Sequence, residues 1–291
     1  MTEPTPLHVA MDVRAGRTVL ATVQADRVID TRRLEHGPLP SPALLAEGLA
    51  VLCARAPGPI AGLAGIWRHT ERLGVADPGA FSDLLSDVAE RAGLPSSFVP
   101  HGAALALGEW LRAPSAGPLG ALTLDVGVAG GVVIDGRLFA PHRLDLGHLS
   151  VAAEGCKCAC SARGCLHGYA SEWALQQLAR DFDVTLEEPS AVDWQVLMAS
   201  ELAARRHELA RFANVLGNRS GRAIGIAAAH LADTFGVVEV RVRTRHPDLW
   251  RLLAPAADDA ARQVSGTRAP ELSAADASED AFFTGAVAAG R

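Results

Sequence analysis

"GHLSVAAEGCKCACSARGCLHGYAS", residues Gly147–Ser171, puts four of the chain's five cysteines within ten positions and brackets them with two histidines. A structural zinc site takes four soft or borderline ligands in a tetrahedron. Cys158, Cys160 and Cys165 form a Cys-x-Cys-x4-Cys knuckle that supplies three thiolates, with Gly164 easing the turn. His148 is the natural fourth ligand, and Cys156 is either a spectator or its replacement. A closed four-ligand set leaves no position for water, so the spacing predicts a structural zinc ordering a loop with little core of its own.

The rest of the chain narrows the setting. Its 27 Lys and Arg against 33 Asp and Glu give a net charge of −6, with no run of like charges that would mark a nucleic-acid patch or a polybasic anchor. The start, "MTEPTPLHVAMDV", lacks a basic segment leading into an apolar one, and no apolar run is long enough to span a bilayer. The expectation is a cytoplasmic protein with no membrane association and no direct nucleic-acid binding. In a reducing cytosol, close-set cysteines read as metal ligands before disulfides. Cys53, alone in "LAVLCARA", reads as a small buried hydrophobe.

Two strand-rich meanders organise the chain. "LHVAMDV" (Leu7–Val13), "RTVLATVQAD" (Arg17–Asp26) and "RVIDTRRLEHG" predict three antiparallel strands. Helices are predicted over Pro42–Ala54, Phe81–Ala92 and Ala103–Arg112, with "SFVP" as a short strand. "APSAGPLG" (Ala113–Gly120) is the candidate hinge. After it, "ALTLDVGVAGGVVIDGRLFA" holds two strands and a hairpin turn at Asp135-Gly136. Helices are predicted over Ser171–Phe182, Asp193–Phe212 and Asn218–Thr234, followed by the strand "VVEVRVRT", whose alternating arginines read as a solvated face. The implied organisation is a lobe over residues 1–113 and a lobe over 114–291 carrying the knuckle 147–171, with the last helix able to pack back on the first lobe and a ligand cleft between the two.

The knuckle resembles that of the ROK family, the repressors and sugar kinases of the actin-like ATPase fold. Their pattern reads Gly-His, Gly seven positions after the His, then Cys-x-Cys-Gly-x-x-Gly-Cys-x-Glu. Gly147, His148, Gly155, Cys158, Cys160, Gly164 and Cys165 fall at matching offsets. The likeness continues in "MDVRAGRTVLATV" and "LTLDVGVAGGVVIDGRL", where the family has its two phosphate loops, and in "GLPSSFVPHGAALALGEW", where it carries the catalytic base. "DAFFTGAVAAG" is similar to its closing helix. The resemblance implies an α/β fold of two actin-like, ribonuclease H-like lobes, a small polar or sugar-like ligand, and a homodimer. With the first strand predicted to start near Leu7, a winged helix-turn-helix of the kind the family's repressors carry is not expected.

The chain departs from that pattern where chemistry is concentrated. Asp-Ile-Gly-Gly-Thr becomes Asp12, Val13, Arg14, Ala15 and Gly16, which replaces a phosphate-hugging glycine with a long side chain. His101 stands where the family has its catalytic aspartate; loss of a general base alone costs roughly 10²- to 10⁴-fold in rate. The second phosphate loop reads Asp125-Val126-Gly127, with Gly130 following, and its carboxylate repels phosphate. In the sugar shell Asp145 and His167 replace two glutamates. These changes make ATP with Mg a doubtful cofactor and favour a fold that has lost kinase activity and binds a small polar ligand or a protein partner. Two alternatives stay open: an active, glucokinase-like sugar kinase with an altered site, and a repurposed enzyme that uses His101, Asp145 and His167. The dull reading of the two histidines is solvated pocket residues.

Overall fold

The computed structural model describes residues 5–68, 77–158, 160–182, 206–244, 247–276 and 278–290. Its elements, in chain order, are β1 (Leu7–Arg14), β2 (Arg17–Gln24), β3 (Arg27–Glu35), α1 (Pro42–Arg55), β4 (Ile60–Trp67), α2 (Pro78–Ala92), β5 (Ser96–Pro100) and α3 (His101–Arg112). There follow β6 (Leu119–Leu124), β7 (Val128–Ile134), β8 (Arg137–Leu138), α4 (His167–Ala170), α5 (Glu172–Asp181) and α6 (Arg206–Phe235). The chain closes with β9 (Glu239–Thr244), α7 (Pro247–Ser265), β10 (Glu271–Ala274) and α8 (Asp280–Ala289). Two five-stranded sheets result, in the orders β3-β2-β1-β4-β5 and β10-β9-β6-β7-β8. No described helix is long and apolar enough to cross a membrane.

Two compact units form: Met1–Pro114 with Gly136–Leu144 and Ser278–Arg291, and Ser115–Asp135 with Asp145–Ala277. In the first unit, β1 pairs antiparallel with β2 and parallel with β4, so both its edges are hydrogen-bonded, and it is buried along nearly its whole length. Val9, Met11, Leu20, Leu45, Leu49, Phe81 and Leu85 form one core cluster with the helices α1 and α2. Both helices start on a side-chain cap: Ser41 accepts from the Leu44 amide (3.2 Å) and Asp77 from that of Ala80 (2.7 Å). α8 packs on α3 so closely that a Cβ on Gly108 would lie 1.8 Å from the Ala281 carbonyl oxygen. Cys53 is half-buried against the core, and His142 meets Phe98 edge-on at 5.3 Å.

In the second unit β6 is buried along its whole length between β7, antiparallel, and β9, parallel. Two sequence expectations are corrected here. The predicted break between Phe212 and Asn218 does not occur, and α6 runs unbroken for 30 residues; the predicted stretch from Asp193 to residue 205, with Trp194, lies outside the described residues. Glycine weakens an isolated helix by about 1 kcal/mol, but Gly217, Gly221 and Gly225 let the backbone of α7 approach. A Cβ at Gly221 or Gly225 would lie 2.4 Å from the Leu253 or 2.1 Å from the Ala257 carbonyl oxygen. The second correction concerns β9: Arg241 is 6% exposed and donates to Glu239 (2.7 and 3.0 Å), so this arginine is buried in an ion pair instead of solvated.

Candidate functional site

Short local hydrogen bonds build the cysteine loop. The Ser161 amide donates to the Cys158 carbonyl (3.1 Å) and the Cys158 amide to that of Ala162 (2.9 Å), closing the knuckle. Gly164 sits at φ +73° with a hypothetical Cβ 1.6 Å from the Ala152 oxygen, so the position admits glycine alone. Ser161, where the family pattern has glycine, also adopts the left-handed region at φ +71°.

The ligand atoms of His148, Cys158 and Cys160 lie within 4.8 Å of one another, and Cys165 Sγ is 3.6 Å from Cys160 Sγ. Burial pushes the Cys165 thiol up to about 12 and raises that of Cys158, whereas a backbone hydrogen bond at Ala162 lowers that of Cys160. Nδ1 of His148 contacts Asp145 Oδ2 at 2.7 Å, a hydrogen bond that raises the histidine's pKa and leaves Nε2 as the ligating atom. His148, Cys158 and Cys160 could hold a metal ion, with Cys165 beside Cys160 and a carboxylate behind the imidazole, donors of the kind zinc takes.

Cys156 is not part of this group. Its Sγ accepts from Arg219 on α6 (2.8 Å), and its amide donates to the Tyr169 hydroxyl (3.2 Å). Arg219 in turn lies over the Tyr169 ring at 5.4 Å. This tie was invisible in the sequence because its partners stand 63 residues apart.

Next to the knuckle, the His167 ring stacks on His148 (5.8 Å between centroids, 15°) and leans on Trp173 at 6.5 Å. The Val128 amide donates to His167 Nδ1 at 3.4 Å. Asp145, His148 and His167 thus share one corner of the second unit. His101 belongs to the first unit, where it opens α3, is 5% exposed and stacks on Phe282 at 6.3 Å. The expectation of a solvated His101 is therefore corrected: this histidine is buried.

At the first phosphate loop, β1 and β2 are joined by a two-residue turn, Ala15-Gly16, with Gly16 at φ +80°. Asp12 is fully buried, and arginines occupy both carboxylate oxygens. Arg68 donates Nε to Oδ1 (2.7 Å) and Nη2 to Oδ2 (2.8 Å), while Arg14 donates Nε to Oδ2 (2.8 Å). Burial alone would raise the Asp12 pKa, but the charges of Arg68 and Arg14 outweigh it and hold the carboxyl well below its ordinary range. Arg14 also reaches Glu279 at 2.6 Å, and Arg68 lies over the Phe282 ring at 5.3 Å. Sequence reading singled out Asp12 and Arg14 but missed Arg68 and Glu279.

The second loop is closed in a similar way. The Asp125 carboxylate accepts from the Val126 amide (2.8 Å), and the Asp125 amide donates to the Gly127 carbonyl (2.9 Å). Gly130 is a packing glycine: a Cβ there would lie 2.4 Å from the Ala121 oxygen.

A family model described as the ROK family matches residues 54–287. N-acetylmannosamine kinase of Vibrio cholerae is 44% identical over 62 residues; the match covers 19% of this chain and spans only 21% of the length of that enzyme. The crystal structure of a ROK hexokinase from Thermus thermophilus superposes with a TM-score of 0.74 at 22% identity, covering 96% of both chains. A ROK family transcriptional regulator, a homologue of E. coli MLC, gives 0.75 at 18% identity, covering 96% of this chain and 76% of its own. With the family model spanning most of its length, the chain belongs to the ROK family.

Proposed function

We propose that this ROK-family protein does not phosphorylate sugars with ATP, and that it binds a small polar, sugar-like ligand or a protein partner beside a structural zinc held by His148, Cys158, Cys160 and Cys165. The observation that carries this reading is the clamp on Asp12. A loop that orders Mg-nucleotide needs a carboxylate able to face the cation or its waters, and phosphate needs backbone donors. Here Asp12 is buried and held by Arg68 and Arg14, and the Val126 amide is already donating to Asp125. Zinc, when bound, ties the loop's termini together and supplies folding energy to it. Asp145 orients His148, and the rings of His148, His167 and Trp173 form an amphipathic wall suited to a polar ligand.

A second reading, an active sugar kinase with an altered site, draws support from the likeness to N-acetylmannosamine kinase and to the ROK hexokinase. Assay of ADP release by zinc-loaded protein with Mg-ATP and a panel of hexoses and aminosugars separates the two. The expected result is no sugar-dependent ADP; turnover with any one sugar would move the kinase reading to first place.

A further inference from the structure

The open edge of the first unit's sheet carries a feature that neither the knuckle nor the phosphate loops explain. β3 ends the order β3-β2-β1-β4-β5, and among the described residues no strand pairs with its outer edge. Its pairing with β2 is regular over Asp30–Glu35. Backbone bonding alternates along an antiparallel pair, and Thr31 is one of the residues turned outward: its amide donates to Asp30 Oδ1 (2.8 Å). Ile29 is 43% exposed. Arg32 shares a side of the strand with Asp30 and the buried Leu34, and its Nε is buried with no hydrogen-bond partner among the described residues. A bare strand edge is a template for pairing with another chain.

We infer that β3 pairs antiparallel with β3 of a second copy of this chain, about a twofold axis at Thr31. That register sets Asp30 of each copy opposite Arg32 of the other and brings the stem of Arg33 alongside Ile29. Moving the axis by one residue sets Asp30 against Asp30 or Arg32 against Arg32, so charge selects the Thr31 register. The Thr31 amide then donates to the Thr31 carbonyl of the second copy, which frees Asp30 Oδ1 to accept from Arg32 there. Arg32, whose Nε has no partner within the single chain, gains one. Asp30 keeps Arg55 of its own chain beside it at 3.1 Å. A contact along one strand is small beside the roughly 1,600 Å² of a typical stable interface, so the dimer dissociates on dilution. The inference is independent of whether the protein phosphorylates sugars.

Sedimentation equilibrium of the zinc-loaded, full-length protein over a concentration series reads the association, and the unmodified chain is expected to be a reversible dimer. Arg32→Asp places carboxylates against carboxylates, and Asp30→Arg places guanidiniums against guanidiniums, each twice over because of the twofold axis. Each variant alone is expected to raise the dissociation constant at least about tenfold. An equimolar mixture of the two is expected to associate again, since every pair across the mixed dimer is of opposite charge. Thr31→Pro removes an outward amide without changing any charge, a substitution that an edge strand tolerates, and is also expected to weaken the dimer. A monomeric parent chain, unchanged association in Arg32→Asp or in Thr31→Pro, or a mixture of folded variants that associates no better than either alone, overturns the pairing.

Discussion

Asp12 has no exposure to solvent, and its charge is tolerated because two guanidiniums reach it from different elements. Breaking a buried ion pair by removing one partner typically costs about 3–5 kcal/mol, since the remaining charge stays desolvated. Arg14 still touches Asp12 when Arg68 is gone, so Arg68→Met is predicted to cost about 3 kcal/mol in urea unfolding, and adding Asp12→Asn to that variant is predicted to recover part of the loss. Because the folded-state pKa of Asp12 is depressed, its contribution is present in full above the ordinary carboxylate value of about 4 and lost as pH falls below it. Asp12→Asn is therefore predicted to flatten the acid limb of the stability profile; an identical acid limb would contradict the clamp. The unusual residues at 12 and 14 could be read from the sequence. Their partners could not, because Arg68 lies 56 positions away and Glu279 at the start of the last helix, with no local pattern to announce either.

Element by element, legibility followed the range of the interactions involved. The first three strands, their short turns and the capped helices α1 and α2 rest on alternation and on Ser, Asp, Pro and Gly at helix ends, all local. The continuity of α6 was hidden because Gly217 reads as a break until α7 is known to lie against it. The burial of Arg241 was missed although its partner, Glu239, stands two positions away on the same strand. The cysteine loop was legible in composition and spacing, whereas the contact of Cys156 with Arg219, 63 residues on, was not. At this scale the sharpest test is Gly164→Ala, whose methyl would run into the Ala152 carbonyl. The variant is predicted to lose bound zinc on dialysis and to unfold at lower temperature, with metal content and melting read on the same samples. Full zinc retention with unchanged melting would contradict the close approach of Gly164 to Ala152.

Across the whole molecule, each of the two units carries its own sheet with helices packed on it. The fold is that of the ROK family, and His148, Cys158 and Cys160 of the cysteine loop stand close enough together to hold a metal ion. The departures from the family's sequence pattern fall at Arg14, His101, Asp125, Asp145 and His167. At two turns the polar groups are already engaged, Asp12 by Arg68 and Arg14 and the Val126 amide by the Asp125 carboxylate. These engagements are what support the proposed reading of a binding protein on this fold. The most direct measurement is calorimetric titration of the zinc-loaded protein with Mg-ATP, with and without hexoses and aminosugars. The account predicts no saturable heat under either condition. Micromolar binding of Mg-ATP would contradict it and require that Asp12 and Val126 be released when nucleotide arrives.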